Sequence, residues 1–184
     1  MSPVSFFTQL LNGLQLGSIY ALVALGYTMV YGIILLLNFA HGDIIMAGAY
    51  ISWIAMAQLG IHPALAALLS IVGCMALGVA IDKIAYAPLR EAPRLSVLIT
   101  AIGVSYFLES GSQLIFGADA KVVPAFVNLT TVSVGSVTLS LTAILTVAIT
   151  CISTVVLTFL VQKTRLGKAM RAVSEDMGAA RLMG

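Results

Sequence analysis

Three places in this sequence gather side chains able to do chemistry. The first is Asn38-Phe39-Ala40-His41-Gly42-Asp43, which puts an amide, an imidazole and a carboxylate between two apolar runs. Polar groups at membrane depth must be satisfied by protein or by a water-filled cavity. Two readings fit the segment equally: a cytoplasmic turn in which Asp43 caps a helix beginning at Ile44, or the lining of a substrate pathway by Asn38, His41 and Asp43. A metal site is not indicated, because no second imidazole lies near His41, and His62 belongs to a solvated loop before Pro63.

The second place is Glu109, inside an apolar segment and on the outer side of its midpoint. An ionised carboxylate there is costly, so it must face the bundle interior, carry a proton or find a donor. Ser105, Ser112 and Gln113 stand at helical spacings from it, which allows a hydrogen-bonded patch on one face. A structural role between helices is the first reading, and a place in the substrate pathway the second.

The third is the tail from Lys163 to Arg181. Leu166, Met170, Val173, Met177 and Ala180 recur at alternating spacings of four and three, the stripe of a surface helix with an apolar edge. Lys168, Arg171 and Glu175 take the other side. Such a helix can lie on anionic lipid or dock into a groove of a cytoplasmic partner; periodicity does not separate the two. No phosphate-binding loop, nucleotide turn or catalytic constellation occurs, so this chain is not expected to hydrolyse ATP itself, to be an enzyme or to carry a cofactor.

The elements that must hold these groups are membrane helices. Hydrophobic residues make up 60% of the chain and charged residues 9%, which makes lipid the solvent. The nine Lys and Arg residues form no stripe with interleaved aromatics, and nucleic-acid binding is not expected. None of them precedes Lys83, so the opening residues lack the basic region of a signal peptide and read as mature sequence. Cys74 and Cys151 lie in apolar runs as small hydrophobes.

A span needs about 20 apolar residues to cross about 30 Å of hydrocarbon. The first run, Leu10 to Leu37, would be about 42 Å long as one straight helix and is expected to be strongly tilted or broken, with Gly26 and Gly32 as breaks. A shorter run, Ile44 to Leu59, follows the polar segment. Further spans are expected from Pro63 to about Ile81, Leu95 to Phe116, and Leu139 to Val161. The last is helical despite its β-branched content, because a lone strand cannot satisfy its backbone in lipid. The expected fold is therefore an all-α polytopic bundle of about five spanning segments with a kinked region between the first two.

Lys83, Arg90 and Arg94 mark the 82–95 connection as cytoplasmic, and Lys163, Arg165, Lys168, Arg171 and Arg181 do the same for the tail. The 117–138 connection, with Lys121 alone, is then outside, as is the N-terminus if the first run crosses once. Gly13, Gly17 and Ala21 form a small-residue stripe expected to be a helix contact surface.

Three stretches together resemble a known family. Leu37 to Asp43 followed by Met46-Ala47-Gly48-Ala49-Tyr50 is similar to the signature after the first helix of the permeases of ATP-binding-cassette (ABC) importers for branched-chain amino acids. Tyr86-Ala87-Pro88-Leu89-Arg90 resembles their short cytoplasmic loop, and Thr164 to Val173, continuing to Ala179-Ala180-Arg181-Leu182-Met183-Gly184, resembles their coupling loop.

The resemblance implies one transmembrane permease domain over residues 1–184, truncated at its C-terminal end. Residues 162–184 are its cytoplasmic coupling region. Leu166, Met170, Arg171, Val173, Met177, Ala179, Ala180 and Gly184 would meet an ATPase subunit. It further implies a second permease subunit, an extracytoplasmic solute-binding protein delivering the amino acid, and a bacterial inner membrane as the location. Within the family, urea or a short amide is an alternative cargo. Outside it stand an ion-coupled carrier using Glu109 or Asp43, and a structural scaffold that would leave the polar segment and the tail without a task.

Overall fold

A computed structural model describes residues 3–34, 37–89, 92–124, 132–134, 137–139, 141–176 and 178. The chain is an all-α multi-pass membrane protein. Helices α1 (Pro3–Ile34), α3 (Pro63–Ile81), α4 (Arg94–Phe116) and α5 (Leu141–Lys163) carry stretches long and apolar enough to cross a membrane. The third stretch of that kind in chain order is Leu95–Phe116; the second runs on from α3 through a π turn (Asp82–Tyr86) and a 3-10 turn to Leu89. Between α1 and α3 lies α2 (His41–Trp53), extended by a second π turn (Ile54–Gln58). A short helix, α6 (Arg165–Glu175), follows α5, and a small antiparallel hairpin, β1 (Val132–Val134) with β2 (Val137–Leu139), precedes it. The hairpin was not anticipated from sequence.

α1 removes one of the two alternatives left open for the first run, the broken one. It is a single unbroken helix, and Gly26 and Gly32 lie within it without interrupting it. With no water to take over the freed carbonyls, a glycine in lipid keeps its helical hydrogen bonds rather than opening a break. α5 is helical as expected, and three of its hydroxyls help: Thr146, Thr150 and Thr154 each donate to the carbonyl four residues back at 2.8 Å, so none of these three is left bare toward lipid.

The contacts divide the chain into two compact units, one of α1, the hairpin, α5 and α6, the other of α2, α3 and α4. In the first, Thr150 Oγ1 donates to the carbonyl of Ser18 at 3.3 Å, and Met29 and Val161 line one cleft. Both pairs have nearly the same offset along the chain, so α1 and α5 run in the same direction. The stripe Gly13, Gly17 and Ala21 is not part of this contact. All three residues are exposed, and a side chain at Gly13 or Gly17 would meet open space. Ser18, buried beside Thr150, makes the approach instead.

In the second unit α2 and α3 are antiparallel. Ser52 and Ser70 share a hydrogen bond of 2.6 Å, Ser70 Oγ donates to the Gly48 carbonyl at 2.8 Å, and Cys74 Sγ to the Ile44 carbonyl at 3.4 Å. Ile44, Gly48 and Ser52 thus face Ser70 and Cys74, each set at four-residue spacing. Small side chains let the two backbones approach where lipid supplies no hydrophobic drive. The buried residues, Ala40, Ala55, Ala66, Ile81, Val97 and Ala101 among them, are mostly alanines for the same reason.

A Cβ at Gly48 would lie 2.8 Å from Cys74 Sγ, whereas at Gly78 it meets nothing. Gly48→Leu is therefore expected to destabilise the chain by about 1–3 kcal/mol, read as a lower unfolding midpoint in detergent. Gly78→Leu should stay within about 0.5 kcal/mol of the parent. Equal midpoints for the two variants would contradict the close approach of α2 and α3.

Candidate functional site

The polar segment sits where α2 begins. His41 N–H donates to the Asn38 carbonyl at 3.2 Å, closing a turn, and the helix starts at His41 after Ala40, a residue without a capping side chain. Asp43 does not cap a helix starting at Ile44. It lies inside the first turn of α2, and its Oδ2 accepts the Ser105 hydroxyl of α4 at 2.5 Å.

Ser105 is the twelfth of the 23 residues of α4. Cys74, bonded to the Ile44 carbonyl, is the twelfth of the 27 residues of the stretch Pro63–Leu89. Two independent rulers therefore put Asp43 and Ile44 near mid-span. A carboxylate at that depth is costly unless a donor meets it, and Ser105 is that donor.

Asn38, half-buried, accepts the Tyr86 hydroxyl on Oδ1 at 2.8 Å. Tyr86 is the last residue of the π turn that ends α3. The wider turn rotates the residues after it relative to a continuous α-helix. The two motifs quoted above around Asn38 and Tyr86 are thus joined directly in space. Sequence reasoning missed Tyr86 and Ser105 as partners. Ser105 is a polar side chain in an apolar run, a signal that could have marked it, whereas Tyr86 follows Asp82 and Lys83 and carries no such mark.

Glu109 is exposed on α4, and the patch expected around it does not form. Ser105 is committed to Asp43. Ser112 Oγ donates to the Glu109 backbone carbonyl at 2.8 Å and to Met46 Sδ at 3.5 Å, not to the carboxylate. Among the described residues the Glu109 carboxylate has no hydrogen bond or ion pair.

At the other end of the chain α6 is built by one hydroxyl. Thr164 Oγ1 donates to the Leu160 carbonyl at the end of α5 at 2.5 Å and accepts the Gly167 N–H at 3.1 Å. It closes one helix and caps the next. Gly167 is buried because its α-carbon presses on the carbonyls of Leu160 and Val161, where any Cβ would overlap them.

Met170 and Ser174 lie on the same face and line a cleft of about 130 Å³ with Thr28, Met29, Gly32, Val161 and Arg171. Val173 is half-buried beside that face. Leu166 is 69% exposed, and Arg165, Lys168, Ala169, Ala172 and Glu175 are exposed with it. Arg171 is exposed and its Nη2 reaches the Gln162 carbonyl at 3.5 Å. Met177, Ala179, Ala180 and Gly184 fall outside the described residues.

Residues 9–184 match the family described as the permease component of the branched-chain amino acid transport system. The chain belongs to this family. It is 40% identical to the high-affinity branched-chain amino acid transport system permease protein BraD of Pseudomonas aeruginosa. To the LivH proteins of the same description it is 39% identical in Salmonella typhimurium and 40% in Escherichia coli. Each match takes in 97% of this chain and 62% of the relative, so this permease-family chain spans less than two thirds of their length. No solved structure matches it.

If Ser105 satisfies Asp43 as the geometry requires, Ser105→Ala and Asp43→Asn are coupled. A double-mutant cycle on unfolding in detergent is expected to return about 1–2 kcal/mol of interaction energy. Strict additivity would contradict the pairing.

Proposed function

We propose that this chain is the membrane conduit of an ATP-driven importer for branched-chain aliphatic amino acids in a bacterial inner membrane. In this reading the ATPase subunits, a second permease subunit and an extracytoplasmic binding protein are separate chains. The polar segment Asn38–Asp43 lines the pathway. The cytoplasmic end carries Lys83, Arg94, Lys163 and the basic residues of α6, which puts the N-terminus outside, in accord with the common direction of α1 and α5.

The observation that carries the proposal is the corner between α5 and α6. α6 is amphipathic, turns back against the end of α5 and keeps an outer face of Arg165, Leu166, Lys168, Ala169, Ala172 and Glu175. That face suits a cytoplasmic partner through charge register around a small apolar centre. Thr164 and Gly167 join α6 to α5 through hydrogen bonds and backbone contact, and Met170 lies against the cleft shared with α1. A push on α6 is therefore delivered to α1 and α5 together. Packed elements pass on such displacements because they do not deform continuously.

The test is reconstitution with the partner subunits and measurement of leucine-stimulated ATP hydrolysis. Gly167→Val, which drives α6 off the Leu160 and Val161 carbonyls, is expected to insert normally and to lose about ten-fold of the stimulation, about 1.4 kcal/mol of coupling. Stimulation equal to the parent would overturn the coupling role of α6.

One observation favours a second reading. The carboxylate of Glu109, unengaged among the described residues, is what an ion-coupled carrier needs. Uptake that collapses with the proton gradient while ATP persists would select it.

A further inference from the structure

At the end of α4 opposite Arg94, the chain turns at Gly117. Its φ of 80° is a conformation that only glycine adopts without strain. The residues after the turn come back over α2 and border an open cleft of about 280 Å³ lined by Met46, Tyr50, Trp53, Asp119, Lys121 and Val123 among others. One side is apolar and aromatic. Its wall is fixed, because Tyr50 stacks on Phe116 with ring centroids 4.3 Å apart and planes 16° from parallel. The other side presents a carboxylate and an ammonium two residues apart. The Lys121 ammonium is 5.7 Å from the centroid of the Trp53 ring, within reach of a cation–π attraction. Among the described residues neither Asp119 nor Lys121 has a hydrogen bond or an ion pair. Two opposite charges thus line one cleft without neutralising each other.

We propose that this cleft binds a free zwitterionic amino acid with an aliphatic side chain. Lys121 meets the α-carboxylate, Asp119 the α-ammonium, and Met46, Tyr50, Trp53 and Val123 the side chain. The pairing is specific in three respects. A carboxylic acid alone leaves Asp119 unmatched, an amine alone leaves Lys121 unmatched, and a polar side chain loses contact with the aromatic wall. Small-molecule sites of this kind combine a mostly apolar wall with a few placed polar groups. Charge-assisted hydrogen bonds are the strong ones among those groups.

Tryptophan, tyrosine and lysine at the end of a span can also form an interfacial belt. A belt turns outward to lipid and has no task for an acidic residue, whereas these side chains share a concavity with Asp119. The site deepens the importer reading above and rests on it for its place in transport: the cleft is where cargo arrives before the mid-span segment at Asp43.

Trp53 is the sole tryptophan of the chain, so its emission reports on the cleft without a label. Titration of the purified chain with L-leucine is expected to give a saturable change. 4-Methylpentanoate and 3-methylbutylamine, which keep the side chain and one charge each, should bind about ten-fold more weakly. In Lys121→Gln the preference for leucine over the amine should vanish, and in Asp119→Asn the preference over the acid. Lys121→Arg should keep both. No saturable change, an equal response to all three compounds, or variants that keep the parent's preferences would each overturn the site. Leucine uptake by the assembled importer with a silent Trp53 sinks the cleft and leaves the permease standing. Saturable binding without uptake keeps the cleft and removes the permease reading.

Discussion

A carboxylate held near the middle of a membrane span must have a donor, and the hydrogen bond from Ser105 to Asp43 supplies it. Much of the second unit follows from that need. α2 must begin close beside the centre of α4, so the turn before it runs from that level toward the end of α3. The turn exposes Asn38, and the hydroxyl of Tyr86 meets it. For Tyr86 to arrive there the end of α3 is wound as a π turn. α2 and α3 can lie close enough for this only because Gly48, Ser52, Ser70 and Cys74 meet at their contact. The polar bond and the small-residue packing support each other.

The first unit solves a different problem, the joining of a surface helix to a spanning one. Thr164 satisfies a carbonyl of α5 and an N–H of α6 with a single oxygen. Gly167 admits the contact that Thr164 sets up. The amphipathic pattern of α6 then has an inner and an outer side with separate tasks, packing near α1 and α5 on one and a free charged surface on the other.

Much of this was legible in the residues. Length and apolarity marked the long spans, and the start of α3 at Pro63 is the position where a proline needs no N–H. His62, expected as a loop residue, is exposed and caps that helix through Nδ1, which accepts the Ala64 N–H at 3.3 Å. The stripe of α6 was visible in its spacing, but which part of it turns inward was not, because that depends on Gly167 touching carbonyls six and seven residues away. Asn38, His41 and Asp43 stood out by type. Their partners did not, since Tyr86 and Ser105 lie 48 and 62 residues from Asn38 and Asp43, and no local period encodes such a pairing. The small-residue stripe at Gly13, Gly17 and Ala21 shows the converse. The pattern permits a close contact and does not create one.

A pathway lined by the polar turn needs water to reach that turn at membrane depth. Gly42 is exposed, and a side chain there meets open space, so Gly42→Cys in a chain whose Cys74 and Cys151 are replaced by alanine should leave the fold intact. The rate at which that thiol reacts with a small charged, membrane-impermeant reagent is the direct measurement. Rapid labelling of the assembled protein, slowed by added leucine, is the predicted result. Labelling only by a lipid-soluble reagent, or a rate that leucine does not change, would contradict it.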